Sequence, residues 1–150
     1  MYPDILVPID GSETGQLGLD EAIGLARSLG SRIRLIHVVN QTPWVGSNAP
    51  PEVIEDLISQ QRSTGESIIH EAKSAARAAG LEVDERLIEA LGERAGQIIV
   101  AQAKDWPAQL IVCGTHGRRG LTRLLMGSDA EYIVRHSPMP VLLVRGRPAP

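Results

Sequence analysis

The chain has no phenylalanine, and aromatic side chains make up only 3% of its 150 residues. Its core must therefore be aliphatic, built from Leu, Ile, Val and Ala. Cysteine occurs once, at Cys113, so no internal disulfide can form. That thiol closes the apolar run Leu110-Ile111-Val112-Cys113, where it reads as buried and inert rather than nucleophilic. No stretch approaches the roughly 18 consecutive apolar residues of a membrane-spanning helix. Basic residues are not in excess: 15 Lys and Arg stand against 18 Asp and Glu, for a net charge of −3. Nucleic-acid binding rests on phosphate neutralisation, so this balance argues against it. The opening residues, MYPDILVPID, lack a basic region and a long apolar run, so no signal peptide is expected and the cytoplasm is the expected compartment.

Several chemical signatures are missing as well. There is no GxxxxGK followed by Ser or Thr, which excludes a Walker-type ATPase. The first apolar run leads into DGSETG rather than GxGxxG, which argues against a hydride-transfer cofactor. No His/Cys cluster has metal-ligand spacing. No Ser, His and Asp assemble into a triad with any specificity.

What is present is ordinary globular composition, 43% hydrophobic and 22% charged, in a length expected to form one domain over residues 1–150. Short apolar runs alternate with helical periodicity. Ile5 to Ile9 reads as a first strand, with Pro8 tolerable near its end. Asp10-Gly11 is a turn, and Ser12 or Thr14 can cap a helix from about Thr14 to Leu29, stopped by Gly30. That helix places Leu17, Ala22, Ile23, Leu25, Ala26 and Leu29 on its apolar side. Ile33 to Val39 is a second strand. A proline-rich loop, Asn40 to Pro51, leads to a long helix ending near Ala79, within which Gly65 can weaken or bend the pattern. Leu81 to Ile88 reads as an edge strand with one wet face, and Arg94 to Lys104 as a third helix. A strand from Leu110, a helix over Ser128 to His136 and a last strand, Val141 to Val144, complete the order. Alternating strands and helices call for a parallel sheet covered on both faces, an α/β Rossmann-like three-layer sandwich with about four helices. Ligands of such folds bind beyond the carboxyl ends of the strands, where strand order reverses.

The densest local signal runs from Leu110 to Asp129, LIVCGTHGRRGLTRLLMGSD. A buried strand ends at Gly114. A loop punctuated by Gly117 and Gly120 carries Arg118, Arg119 and Arg123. Gly127 and Ser128 then open a helix. Glycines let backbone N–H groups approach an anion, and a helix N-terminus adds partial positive charge. The same glycines also suit ordinary turns, and the Gly-Ser step also suits plain capping.

The spacing Gly114, two residues, Gly117, nine residues, Gly127-Ser128 resembles the nucleotide-binding signature of the universal stress protein family. ILVPIDGS, LIHVV and HSPMPVLLV resemble the family's first strand, second strand and closing segment, so the resemblance covers nearly the whole chain. It implies a five-stranded parallel sheet in the order 3-2-1-4-5, with the ends of the first and fourth strands, at Asp10 and Gly114, facing one crevice. It implies ATP with Mg2+ as ligand and a regulatory role in a stress response. On the residues here, Pro8, Ile9, Asp10 and Val38 would meet the base. Cys113, Gly114 and Gly117 would line the ribose and phosphate region. Gly127 and Ser128 would bind the triphosphate, with Asp129 and Ala130 also in the site, and Arg118 and Arg119 can clamp phosphates through their guanidinium forks or face solvent. Asp10 can also help order a divalent cation, or be a turn residue capping the first helix, and His37 reads as a packing residue rather than a base. His116 can touch a phosphate or stay solvated. Trp44 can form a lid or a partner contact, while Trp106 is expected to cover the core.

Asp129 departs from the family's pattern, which often has a small apolar residue there. A carboxylate favours the helix dipole but sits where phosphates are expected. It can face solvent, pair with Arg118, Arg119 or Arg123, or lower triphosphate affinity. Three functional classes therefore stay open: a nucleotide-binding regulator, a slow ATPase or autophosphorylating enzyme, and a partner-binding module with an empty cradle. A homodimer is expected through Val141 to Val144, an apolar edge that two copies can pair.

Overall fold

The computed structural model describes residues 1–116 and 126–146. In chain order its elements are β1 (Asp4–Pro8), α1 (Glu13–Leu29), β2 (Arg32–Asn40), a 3-10 turn (Thr42–Trp44), α2 (Pro51–Ala78), β3 (Val83–Ala90), α3 (Ala95–Asp105), β4 (Leu110–Gly114), α4 (Ser128–His136) and β5 (Val141–Val144). The strands form one five-stranded sheet in the order β3-β2-β1-β4-β5, every pairing parallel. The expected α/β architecture and strand order are both present.

Strand alternation builds the three layers. Ile5, Val7, Ile33, Leu35, Leu110 and Val112 turn to one face, where Leu19, Ala22 and Ala26 of α1 and Ile69, Ala72 and Ala76 of α2 cover them. Leu6, Ile36, Ile111 and Cys113 turn to the other, beneath Ile99, Val100 and Ala103 of α3 and Ile133 of α4. No phenylalanine is needed because small Ala positions let the helices sit close to the branched side chains. Trp106 packs against this second cluster, with the Arg34 guanidinium 4.5 Å above its ring centroid.

Element ends follow local chemistry. Ser12 caps α1, its hydroxyl accepting the Gly15 N–H at 3.0 Å. Gly30 closes α1 in the left-handed region at φ 71°. Pro51 occupies the first turn of α2, where its missing N–H costs nothing.

Three expectations shift. Leu81 is no strand residue: after Gly80 (φ 81°) its N–H returns to the Ala76 carbonyl at 3.2 Å and finishes α2, so β3 starts at Val83 and runs on through Glu89 and Ala90. The buried stripe of α1 is Gly15, Gly18, Leu19, Ala22 and Ala26, while Leu29 is exposed. The approach of α1 to β4 through glycines turns the helix by this amount. Gly65 does not interrupt α2, which runs unbroken for 28 residues.

Gly65 and Gly114 are glycines for lack of room. A Cβ on Gly65 would lie 2.6 Å from the His37 imidazole. A Cβ on Gly114 would lie 2.6 Å from both the carbonyl carbon and oxygen of Thr14, backbone atoms of α1 that cannot swing aside. Gly24, also in α1, has nothing within 4 Å of that position. Gly24→Ala therefore raises stability by about 1 kcal/mol through helix propensity alone, or about 2–4 °C in Tm. Gly114→Ala lowers it by about 1–3 kcal/mol through overpacking, or about 2–12 °C. Differential scanning calorimetry of both variants reads the contrast, and equal shifts would contradict it.

Candidate functional site

At the carboxyl end of the sheet β1 and β4 part company, and a cleft of about 1060 Å³ opens there. Of the residues expected at a ligand, Pro8, Ile9, Asp10, Val38, Cys113, Gly114, Gly127, Ser128, Asp129 and Ala130 all line it. Gly117 and Arg118, with the neighbouring Arg119 and Arg123, lie outside the described residues.

The floor comes from strand ends. Even-numbered residues of β2 turn their backbone groups to β1: Arg32 donates to Pro3, and the Ile36 carbonyl takes the Ile9 N–H at 2.8 Å. Odd-numbered residues turn to β3, as in Ile33 to Glu82 and Gln41 to Ala90. This alternation aims the N–H and carbonyl of Val38 at the β1 side, past the last β1 rung at Pro8, and so into the cleft. His37 is buried and donates from Nδ1 to the Ile9 carbonyl at 2.8 Å. It is the packing residue its strand position suggests, wedged between the β1 end and Gly65 of α2.

Asp10 performs the turn role. Its Oδ1 accepts the Ser12 N–H at 2.9 Å and the Ser12 hydroxyl at 2.5 Å. That orients the hydroxyl that caps α1, while Asp10 still borders the cleft. The missing side chain of Gly114 admits α1, as does that of Gly18, so its glycine serves helix packing while it lines the cleft.

The loop that follows β4 is pinned at both ends. The Gly127 N–H donates to the Thr115 carbonyl at 2.7 Å, and the Thr14 hydroxyl donates to the His116 carbonyl. Gly127 caps α4 in extended backbone, with no side-chain hydrogen bond to the helix. Among the described residues no side chain caps the first N–H groups of α4, and Ser128 stands exposed beside them at the cleft.

While Arg118, Arg119 and Arg123 lie outside the described residues, Asp129 makes a contact the sequence did not suggest. Its Oδ1 accepts the Gly96 N–H, in the first turn of α3, at 2.9 Å. The N-cap of α3 is Arg94, whose guanidinium has no acceptor to offer. Asp129 supplies that acceptor from another helix, and Gly96 permits it, since a Cβ there would meet Tyr132 Cβ at 3.0 Å and the Asp129 carbonyl oxygen at 3.1 Å. The carboxylate is committed sideways to α3. Arg94 itself lines the cleft. Sequence reading placed it only at a helix start, because nothing local reports which residues meet at the cleft.

Gln60, Gln61, Thr64 and Leu57 of α2, with Trp44, complete the wall. Three atoms of the lining are buried without a hydrogen-bond partner among the described residues: Trp44 Nε1, Gln61 Oε1 and His116 Nε2. Native proteins rarely leave such atoms unsatisfied. Cys113 also borders the cleft but is 5% exposed, and burial pushes its thiol pKa up to about 12. Among the described residues, no group of three or more His, Cys, Asp or Glu could hold a metal ion, and no helix is long and apolar enough to cross a membrane.

Residues 1–145 match the model of the universal stress protein family. Universal stress protein MJ0531 of Methanocaldococcus jannaschii is 32% identical over 147 residues, which cover 97% of this chain and 83% of that one. Among solved structures, the protein MJ0577 superposes with a TM-score of 0.88 at 24% identity, covering 99% of each chain. A universal stress protein in complex with cAMP superposes with a TM-score of 0.69 at 23% identity, covering 96% of this chain and 97% of that one. One from Archaeoglobus fulgidus in complex with dAMP gives 0.60 at 23%, covering 97% and 98%.

Two measurements test the local assignments. Asp129→Ala removes the cap of α3 and costs about 0.5–2 kcal/mol, while Asp129→Asn keeps an acceptor oxygen and costs less. Urea titration of both variants separates them. Native Cys113 resists iodoacetamide at pH 8 and reacts fully in denaturant. Rapid labelling of folded protein would contradict its burial.

Proposed function

This chain belongs to the universal stress protein family, and from that premise we propose that it is an adenine-nucleotide binding regulator that takes ATP with Mg2+ in the cleft between the β1 and β4 ends. The observation that carries the reading is the convergence of a backbone edge at Val38 with the side-chain-free N-terminus of α4 in a single cleft. The first offers donor and acceptor to a base. The second offers N–H groups and a favourable dipole to phosphate, with the Ser128 hydroxyl beside them. Arg94 adds a cation at the same rim. The volume of about 1060 Å³ suits a ligand of nucleotide size. The three unsatisfied polar atoms of the lining are what a cleft built for a polar ligand would contain. The two relatives solved with cAMP and dAMP support an adenine base as the common element.

The described residues offer no carboxylate cluster for the metal, so Mg2+ would arrive on the triphosphate rather than occupy a protein site of its own. With Asp129 turned to α3, its carboxylate is engaged by a backbone N–H rather than aimed freely at the phosphates. The same reading makes the cytoplasm the compartment and a homodimer the assembled form. The support for the dimer is β5, an outer strand whose four residues are all only half-buried.

Thermal unfolding with and without Mg-ATP tests the proposal. Ligand at about 100 times its Kd stabilises the native state by about 2.7 kcal/mol, a rise of roughly 5–11 °C in Tm, with a smaller rise for GTP. Ser128→Ala removes one charge-assisted hydrogen bond and lowers ATP affinity about 10-fold or more. No shift in protein shown to be free of copurified nucleotide would refute the reading.

A further inference from the structure

Two of the three unsatisfied atoms belong to one mechanical unit. Trp44 ends the 3-10 turn after β2, and Gln61 lies in α2. Glu89, near the end of β3, holds both segments. Its Oε2 accepts from the Gln41 side-chain amide at 2.8 Å, and the Gln41 carbonyl in turn takes the Trp44 backbone N–H at 3.0 Å. Its Oε1 accepts from the guanidinium of Arg62, the residue after Gln61. The turn and the helix are therefore anchored to the same carboxylate. Both residues line the cleft, and one donor, Trp44 Nε1, and one acceptor, Gln61 Oε1, are buried in its wall without a partner among the described residues. A pair held so firmly and left unsatisfied is preorganised for a complementary pair on a ligand.

We propose that Trp44 and Gln61 are specificity-determining residues that read the edge of a purine base, Gln61 Oε1 accepting from the exocyclic amine of adenine and Trp44 Nε1 donating to a ring nitrogen. This rests on the nucleotide reading and adds to it a side-chain contact. Backbone groups at Val38 tolerate any side chain, so they do not make this protein's selectivity its own. Trp44 and Gln61 do. His116, whose free Nε2 lies at the end of β4, belongs to the other side of the lining and takes no part in base choice.

Inosine triphosphate is the sharpest probe, because it differs from ATP by a carbonyl where adenine carries its amine. That carbonyl sets an acceptor against Gln61 Oε1. Isothermal titration with Mg-ATP and Mg-ITP gives the ratio of affinities within each protein, so any loss of folded material affects both nucleotides alike. Wild type binds ATP about 10-fold or more tightly than ITP. Gln61→Met keeps the length of the side chain and removes the acceptor. It lowers ATP affinity about 10-fold and lowers the ATP-to-ITP ratio by a similar factor. Trp44→Phe weakens both nucleotides by a similar factor, because N7, the ring acceptor beside the exocyclic group, is unprotonated in both bases. An unchanged ATP-to-ITP ratio in Gln61→Met, or a wild-type preference for ITP, overturns the assignment while leaving nucleotide binding intact. Failure of wild type to bind either nucleotide overturns the nucleotide reading itself.

Discussion

The molecule depends on one backbone-to-backbone contact, the first turns of α1 laid against the end of β4. Gly18 and Gly114 make it close enough that a Cβ on Gly114 would sit 2.6 Å from the Thr14 carbonyl, and one on Gly18 would sit 3.2 Å from the Gly114 nitrogen. The helix that follows β1 thus crosses directly over the strand beside β1. That crossing makes the switch in strand order possible, and the switch opens the cleft. The Thr14 hydroxyl then grips the His116 carbonyl, so the same contact sets where the loop after β4 begins. An alanine at this place would do more than crowd a core: it would lift the helix off the point from which both walls of the site are measured.

Capping then assigns roles to the helices that meet there. The N-terminus of α1 is satisfied by Ser12, which Asp10 orients. That of α3 is satisfied by Asp129, borrowed from α4. Asp10 and Asp129 thus serve the starts of α1 and α3, while among the described residues no side chain caps α4. A side-chain cap at Gly127 would compete with a phosphate for the same N–H groups. A residue that looked from its position like an obstacle to the phosphates is instead part of what holds α3 against α4.

Most of the fold was legible because it is written in short-range signals. Apolar runs, the Ser12 cap and the Gly30 stop each act within a few residues, and the strand and helix order followed from them. The positions of Asp10, Val38, Gly127 and Ser128 in the cleft were legible too, since each sits at the end of a strand or the start of a helix. What was not legible is what depends on distant contacts. The tilt of α1 that buries Leu19 and exposes Leu29 follows from packing on β4. The partner of Asp129 lies in another helix, and Gly96, which admits it, reads locally only as a weak helix residue. Gln61 is one polar residue among many on a long amphipathic helix, and no periodicity marks it apart from Gln60 or Ser59. Only the wall that α2 makes with Trp44 does so.

The height of that wall over the floor is set by a single imidazole. His37 donates to the Ile9 carbonyl at the end of β1, and its other edge lies under Gly65, where a side chain would come within 2.6 Å of the ring. Glycine in mid-helix costs up to about 1 kcal/mol in propensity, and α2 accepts that cost at the one point where it crosses the histidine. In return α2 rests on a rigid spacer hydrogen-bonded to the floor. Leu57, Gln60, Gln61 and Thr64 are carried on the stretch of helix just before that support, and Glu89 fixes the same stretch through Arg62 from the side. Floor and wall are therefore joined at two places, by the close seat of Gly65 on the imidazole and by the exposed Arg62–Glu89 pair. Polar contacts are directional, so they hold donors and acceptors at set positions where apolar packing would permit sliding. A cleft that must present single atoms such as Gln61 Oε1 to a ligand needs that kind of joint.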